Sequence, residues 1–190
     1  MSTRRSPLAM ALLSLVAEEP MHAYRMQQLI KERHKDDVVN VAQRNSVYQT
    51  IDRLLRAGLI AVRETSREEN RPERTVYELT AAGLETLRDW MRTMLATPAR
   101  EFPEFPAALA FLPVLPAQEA RSALEERLAA LEAGLAALDG ELAEGAAFLP
   151  RLFLVESEYR RAVLRAELDY VRELVADLRD GRLAWDRFLT

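Results

Sequence analysis

The sequence contains no cysteine. That excludes a disulfide frame, a thiolate metal site and a cysteine nucleophile. Glycine is scarce, with six in 190 residues, so a glycine-rich phosphate loop is not available. Only Lys31 and Lys35 among the 26 basic residues are lysine. The apolar run near residues 8–16 is too short for a membrane span, and no cleavage-site pattern follows it. The expectation is a cytoplasmic protein with no membrane contact. His22 and His34 stand apart without a metal-ligand pattern. Ser122 and Ser157 have no visible base partner. These gaps point away from an enzyme and imply no metal and no cofactor.

Hydrophobic residues make up 49% of the chain, enough for a packed core. Leucine and alanine dominate, so the expected class is mainly α with a small β-hairpin. Net charge is −4, unevenly spread: residues 1–97 sum to +2 and residues 98–190 to −6. A local basic face on the N-terminal half is enough to meet phosphates.

Ser6-Pro7 starts a first helix, with serine as N-cap and proline at the first helical position. Glu18-Glu19-Pro20 ends it. A second helix is expected over about 21–35, then a loop at Asp36-Asp37 and a short extended piece at Val38-Val39-Asn40-Val41. The third helix is expected to begin near Asn45 or Ser46, both able N-caps. Val47, Ile51, Leu54 and Leu55 form its buried stripe. Ala57-Gly58 caps its C-terminus. Residues 59–64 read as a strand, 65–72 as a polar turn and 74–79 as an alternating strand, which together make a hairpin. Thr80 caps a fourth helix running to about Ala96. Three prolines in residues 97–106 mark a boundary, which gives domains at 1–97 and 98–190.

A helix with an apolar back and a polar front, followed by a hairpin, is the order of a recognition helix and its wing. An α-helix fits the major groove and presents its N-terminal side chains to base edges. Arg44, Asn45, Ser46, Gln49 and Thr50 suit such contacts: Arg44 pairs with guanine, and Gln49 or Asn45 with adenine. Arg53 lies further along and suits phosphate. The hairpin tip supplies Arg67, Asn70 and Arg71, with Arg74 just beyond, for the backbone or the minor groove. The acids Glu64, Glu68, Glu69 and Glu73 run against that signal. Each element alone is common, and an ordinary amphipathic helix or solvated turn would look similar. Their order after two helices is the specific feature. The alternative is a helical protein–protein interaction module whose winged helix binds no DNA.

Pro20-Met21-His22-Ala23-Tyr24, Ser46-Val47-Tyr48 and Tyr77-Glu78-Leu79-Thr80-Ala81-Ala82-Gly83 carry a resemblance to the PadR family of transcriptional regulators. The family shows glycine where this chain has Ala23 and Asn45. The resemblance implies an N-terminal winged helix-turn-helix domain and a C-terminal domain of long dimerising helices. It implies a homodimeric, ligand-responsive repressor on an inverted-repeat operator in double-stranded DNA. It also assigns Tyr24 and Tyr48 to phosphate contact.

In the C-terminal half Leu124, Leu128, Leu131, Leu135, Leu138 and Leu142 form a heptad seam after Pro116. A last helix over about 151–180 carries the stripe Leu152, Val155, Tyr159, Val163, Ala166, Tyr170, Leu174 and Leu178. The seam either joins two copies or packs within one chain. DNA reading by paired helices favours two copies, which makes the six leucines with Tyr159, Val163, Tyr170 and Leu174 the expected dimerisation residues. Trp90, Trp185, Phe102, Phe105 and Phe111, together with Tyr159 and Tyr170, are candidates for a small aromatic or apolar effector site. Core packing is the commoner use of such residues.

Overall fold

The computed structural model describes residues 5–36, 38–39, 44–66 and 74–185; for Arg44, Asn45, Ser66 and Arg74 the description is confined to the backbone. The chain divides into two compact units, one up to Arg100 and one from Glu101.

The first unit opens with α1 (Pro7–Glu18). The Ser6 hydroxyl accepts the Ala9 N–H at 3.2 Å, meeting one of the orphan donors of the first turn. β1 (Met21–His22) follows, then α2 (Ala23–Glu32). The second helix thus starts two residues later than periodicity suggests, because Met21 and His22 pair with Tyr77 and Val76. His22 caps α2, its Nδ1 accepting the Arg25 N–H at 3.0 Å. Arg33 grips Glu18 with two hydrogen bonds of 2.6 and 2.7 Å, tying the ends of α1 and α2. Val38 and Val39 both donate to the Lys35 carbonyl, so they sit in a turn and not in the expected extended piece. Asn40 and Val41 lie outside the described residues.

α3 (Arg44–Arg56) begins at Arg44, so Asn45 and Ser46 stand inside its first turn and are not its caps. Gly58, at φ +68°, ends it in a backbone region that side chains disfavour. β2 (Ile60–Ser66) and β3 (Arg74–Leu79) form the hairpin, with a register shift between Val62 and Glu64. The sheet order is β1-β3-β2, all antiparallel. α4 (Ala81–Ala96) is capped by Thr80, as its sequence suggests. One core holds the unit: Leu12, Leu13, Met26, Val47, Ile51, Leu54 and Ile60 are almost fully buried, with Trp90 packed against them.

The second unit contains α5 (Glu104–Ala110), α6 (Ala117–Ala146) and α7 (Val155–Arg179), with single 3-10 turns at Leu112–Val114 and Arg151–Phe153. α6 and α7 run antiparallel, since Glu125 pairs with Arg179, Glu132 with Arg172 and Asp139 with Arg161. Leu124, Leu131, Leu135 and Leu138 are buried. The first three cluster with Leu168, Val171 and Val175 of α7 in the same chain, and Leu128 packs on the cluster's edge. Leu124, Leu128, Leu131 and Leu135 of the expected seam thus pack within one chain, a different use from the joining of two copies expected of them. A partner helix was already available eight residues beyond α6, and closing so short a loop costs little. Phe105 also joins this packing and lies under the Arg127 guanidinium, 3.7 Å from the ring centroid. Trp185 donates its indole N–H to the Leu115 carbonyl at 2.9 Å.

Only Leu174 and Leu178 of the expected α7 stripe join the packing on α6, whose main α7 partners lie outside that stripe. Leu168, Val171 and Val175 face α6, and Leu174 and Leu178 pack beside them. Val155, Tyr159, Val163 and Tyr170 are exposed, Tyr159 at 70% and Tyr170 at 53%. Leu152 in the preceding turn is exposed as well, and so is Phe148.

Candidate nucleic-acid interface

α3 is held from behind by its own apolar residues and at its end by a polar latch. The Thr80 hydroxyl lies 2.7 Å from the Gly58 carbonyl and 3.1 Å from that of Leu59, and it accepts the Gly83 N–H at 3.0 Å. A methyl group at Gly83 would sit 2.0 Å from the Leu59 carbonyl oxygen. Only glycine allows α4 to start this close to the turn that leaves α3. The Thr80-Ala81-Ala82-Gly83 motif thus fixes the end of α3.

The side of α3 away from the core is a ridge of Gln49, Asp52 and Arg56, with Asn45 one turn earlier at the same helical spacing. Tyr48 flanks the ridge and is also exposed. The Gln49 amide and the Asp52 carboxylate make no hydrogen bond or ion pair with the described residues. Arg56 donates from Nε to the Asp52 backbone carbonyl at 3.3 Å. Burial pushes the Tyr77 phenol above its ordinary pKa, and the charge of Asp52 pushes it the same way.

Two expected base or phosphate contacts are placed differently. Thr50 is only 7% exposed, and its hydroxyl donates to the Ser46 carbonyl at 2.7 Å. It lies on the stripe of Val47 and Ile51, and bonding within its own helix satisfies the buried hydroxyl. Arg53 is half-buried and reaches the Ser6 hydroxyl at 3.3 Å, bracing α3 against the start of α1. Ser46 is half-buried. Tyr24 is 60% exposed, and its ring stacks on His22 with centroids 6.3 Å apart. Arg67, Asn70 and Arg71 lie outside the described residues, as do the side chains of Arg44, Asn45 and Arg74. Asp52, which is not among the expected contact residues, stands on the ridge by its helical spacing from Asn45 and Gln49.

Among the described residues no group of three or more His, Asp or Glu could hold a metal ion. No helix among them is long and apolar enough to cross a membrane.

Residues 12–89 match the transcriptional regulator PadR-like family. No curated protein matches the chain. Bacillus subtilis PadR in complex with operator DNA is similar in structure, at 20% identity over 92% of this chain and 99% of that one, with a TM-score of 0.73. The same protein in complex with p-coumaric acid matches at 20% identity and a TM-score of 0.74, with the same coverage. The Vibrio cholerae virulence activator AphA matches at 20% identity over 92% of this chain and 99% of its own, with a TM-score of 0.70. At such identities these likenesses establish the fold: mainly helical, with a winged helix and long C-terminal helices.

Proposed function

We propose that this chain, whose residues 12–89 belong to the PadR-like family of transcriptional regulators, binds double-stranded DNA through α3 and the β2–β3 hairpin and controls transcription as a homodimer. The observation that carries this reading is the ridge of α3. It is polar, its Gln49 and Asp52 side chains make no hydrogen bond with the described residues, and it is backed by the buried Val47, Ile51 and Leu54 and fixed at its end by Thr80. A helix held this rigidly enters the major groove without losing further conformational freedom. Gln49 and Asn45 would meet base edges, with Arg44 beside them. Tyr24, Tyr48 and the hairpin residues Arg67, Asn70, Arg71 and Arg74 would meet the backbone. Thr50 and Arg53 act behind the interface, by setting the helix in place.

The dimer would form on the exposed stripe of α7, at Tyr159, Val163 and Tyr170, while the leucines of α6 supply the scaffold behind it. A contiguous apolar stripe on a long helix is the kind of surface that proteins bury against a partner. Two copies give two recognition helices and fit an inverted-repeat operator. The p-coumaric acid bound by the Bacillus subtilis protein supports a small aromatic or apolar effector here, and we assign this chain the role of a ligand-responsive repressor. Its function is binding and not catalysis, and its place of action is the cytoplasm.

The test is retention of a duplex from the region upstream of the protein's own coding sequence, across a salt series. Affinity is expected to fall steeply as salt rises, because phosphate contacts release counterions. Absence of salt-sensitive binding to any promoter-region duplex removes the reading.

A further inference from the structure

The acid on the recognition surface has no role in the reading above. Asp52 stands near the middle of the outer ridge, one turn beyond Gln49 and Tyr48, and is exposed. Its carboxylate has no ion-pair or hydrogen-bond partner among the described residues. Arg56 is its neighbour one turn on, but bonds the backbone oxygen of Asp52. Toward phosphate such a group is repulsive, so it does not serve general affinity. Toward base edges it is selective. A carboxylate only accepts hydrogen bonds. In the major groove guanine offers two acceptors, thymine an acceptor and a methyl group, and adenine a donor beside the acceptor N7. Cytosine alone offers its N4 amino donor without a neighbouring acceptor on the same base.

Resting on the reading of α3 as a groove helix, we infer that Asp52 is a specificity-determining residue that accepts a hydrogen bond from the N4 amino group of a cytosine. The contact favours one C·G pair in each half-site, next to the pair read by Gln49. It works mainly by rejection: at that position guanine, thymine and adenine each place an acceptor near the carboxylate.

The test uses the purified full-length protein and a pool of randomised duplexes, with enriched sequences compared between wild type, Asp52→Ala and Asp52→Asn. Far-UV circular dichroism checks that each variant is folded. Wild type is expected to enrich a cytosine at one fixed position, disfavouring the other bases there about tenfold or more. Asp52→Ala loses the preference at that position only. Asp52→Asn moves it toward adenine, because an amide both donates and accepts. Identical enriched motifs from all three proteins overturn the inference. So does a uniform gain in affinity for Asp52→Ala with the motif unchanged, which would leave the carboxylate a purely repulsive charge. Enrichment of nothing by wild type at any salt overturns the groove reading itself. That outcome differs from the first two, in which wild type still binds a motif.

Discussion

The two units bury their helices on different terms. In the first, α1, α2 and α3 bury their apolar stripes in one core, α4 joins it through Leu87 and Trp90, and the face left outside α3 is polar. In the second, α6 and α7 bury one stripe against each other and leave a second stripe of α7 in the open, from Val155 through Tyr159 and Val163 to Tyr170. On α3 the first unit presents groups that hydrogen-bond. The second leaves aromatic and branched side chains in the open. Regular leucine spacing therefore marks a buried seam without telling which helix buries it. In this protein the less regular stripe is the unpartnered one.

Substitutions that separate the two stripes test this contrast most strongly. Leu135→Ala should cost about 2–5 kcal/mol, read as a lower denaturant midpoint with loss of helical signal. A change in mass at unchanged midpoint would instead place the seam between copies. Tyr159→Glu combined with Val163→Glu should do the reverse. Light scattering should show dissociation, with the association free energy weakened by about 2 kcal/mol or more and the helical content kept. Retained dimer mass would remove the α7 stripe from the interface.

The first unit can be probed at its tightest point. Gly83→Ala should destabilise it by about 1–3 kcal/mol, because the added methyl meets a backbone carbonyl oxygen and not a movable side chain. The matching change at Gly140, where an added Cβ meets nothing within 4 Å, should be neutral or slightly stabilising, by up to about 1 kcal/mol. Equal thermal shifts for the two variants would contradict the close approach at Thr80.

The smallest effect concerns Glu18 and Arg33. The Arg33 hydrogen bonds hold the Glu18 carboxyl below its ordinary value of 4.5. A lowered carboxylate stabilises the fold above that value, and the contribution disappears as pH falls through the folded pKa. Both groups are largely exposed, so solvent screening limits the pair to a few tenths of a kcal/mol. Arg33→Ala should lower stability slightly at pH 7, and the deficit should shrink as pH is lowered below the ordinary carboxylate range. A deficit that does not shrink with falling pH would point to lost packing of the arginine stem.

Much of the first unit was legible because several signals coincide there. Thr80 and Gly83 mark the start of α4, Gly58 the end of α3, and Val47, Ile51 and Leu54 its inner face. β1 was not legible: two residues carry no period, and they become a strand only when β3 pairs with them. Thr50 and Arg53 looked outward by residue type, yet helical spacing puts Thr50 beside Val47, and Arg53 is long enough to turn back to Ser6. In the second unit both stripes of α7 were present in the sequence. Residue order could not say that Leu168 and Val171, and not Tyr159 and Val163, would meet α6, because that choice depends on how the intervening turn delivers the helix.

The Thr80 hydroxyl has a mechanical effect beyond capping. It joins the last carbonyls before β2 to the first turn of α4 with no spare chain between them. Such a joint has no slack. Removing that one hydroxyl would therefore release the chain leaving α3 and the start of α4 together.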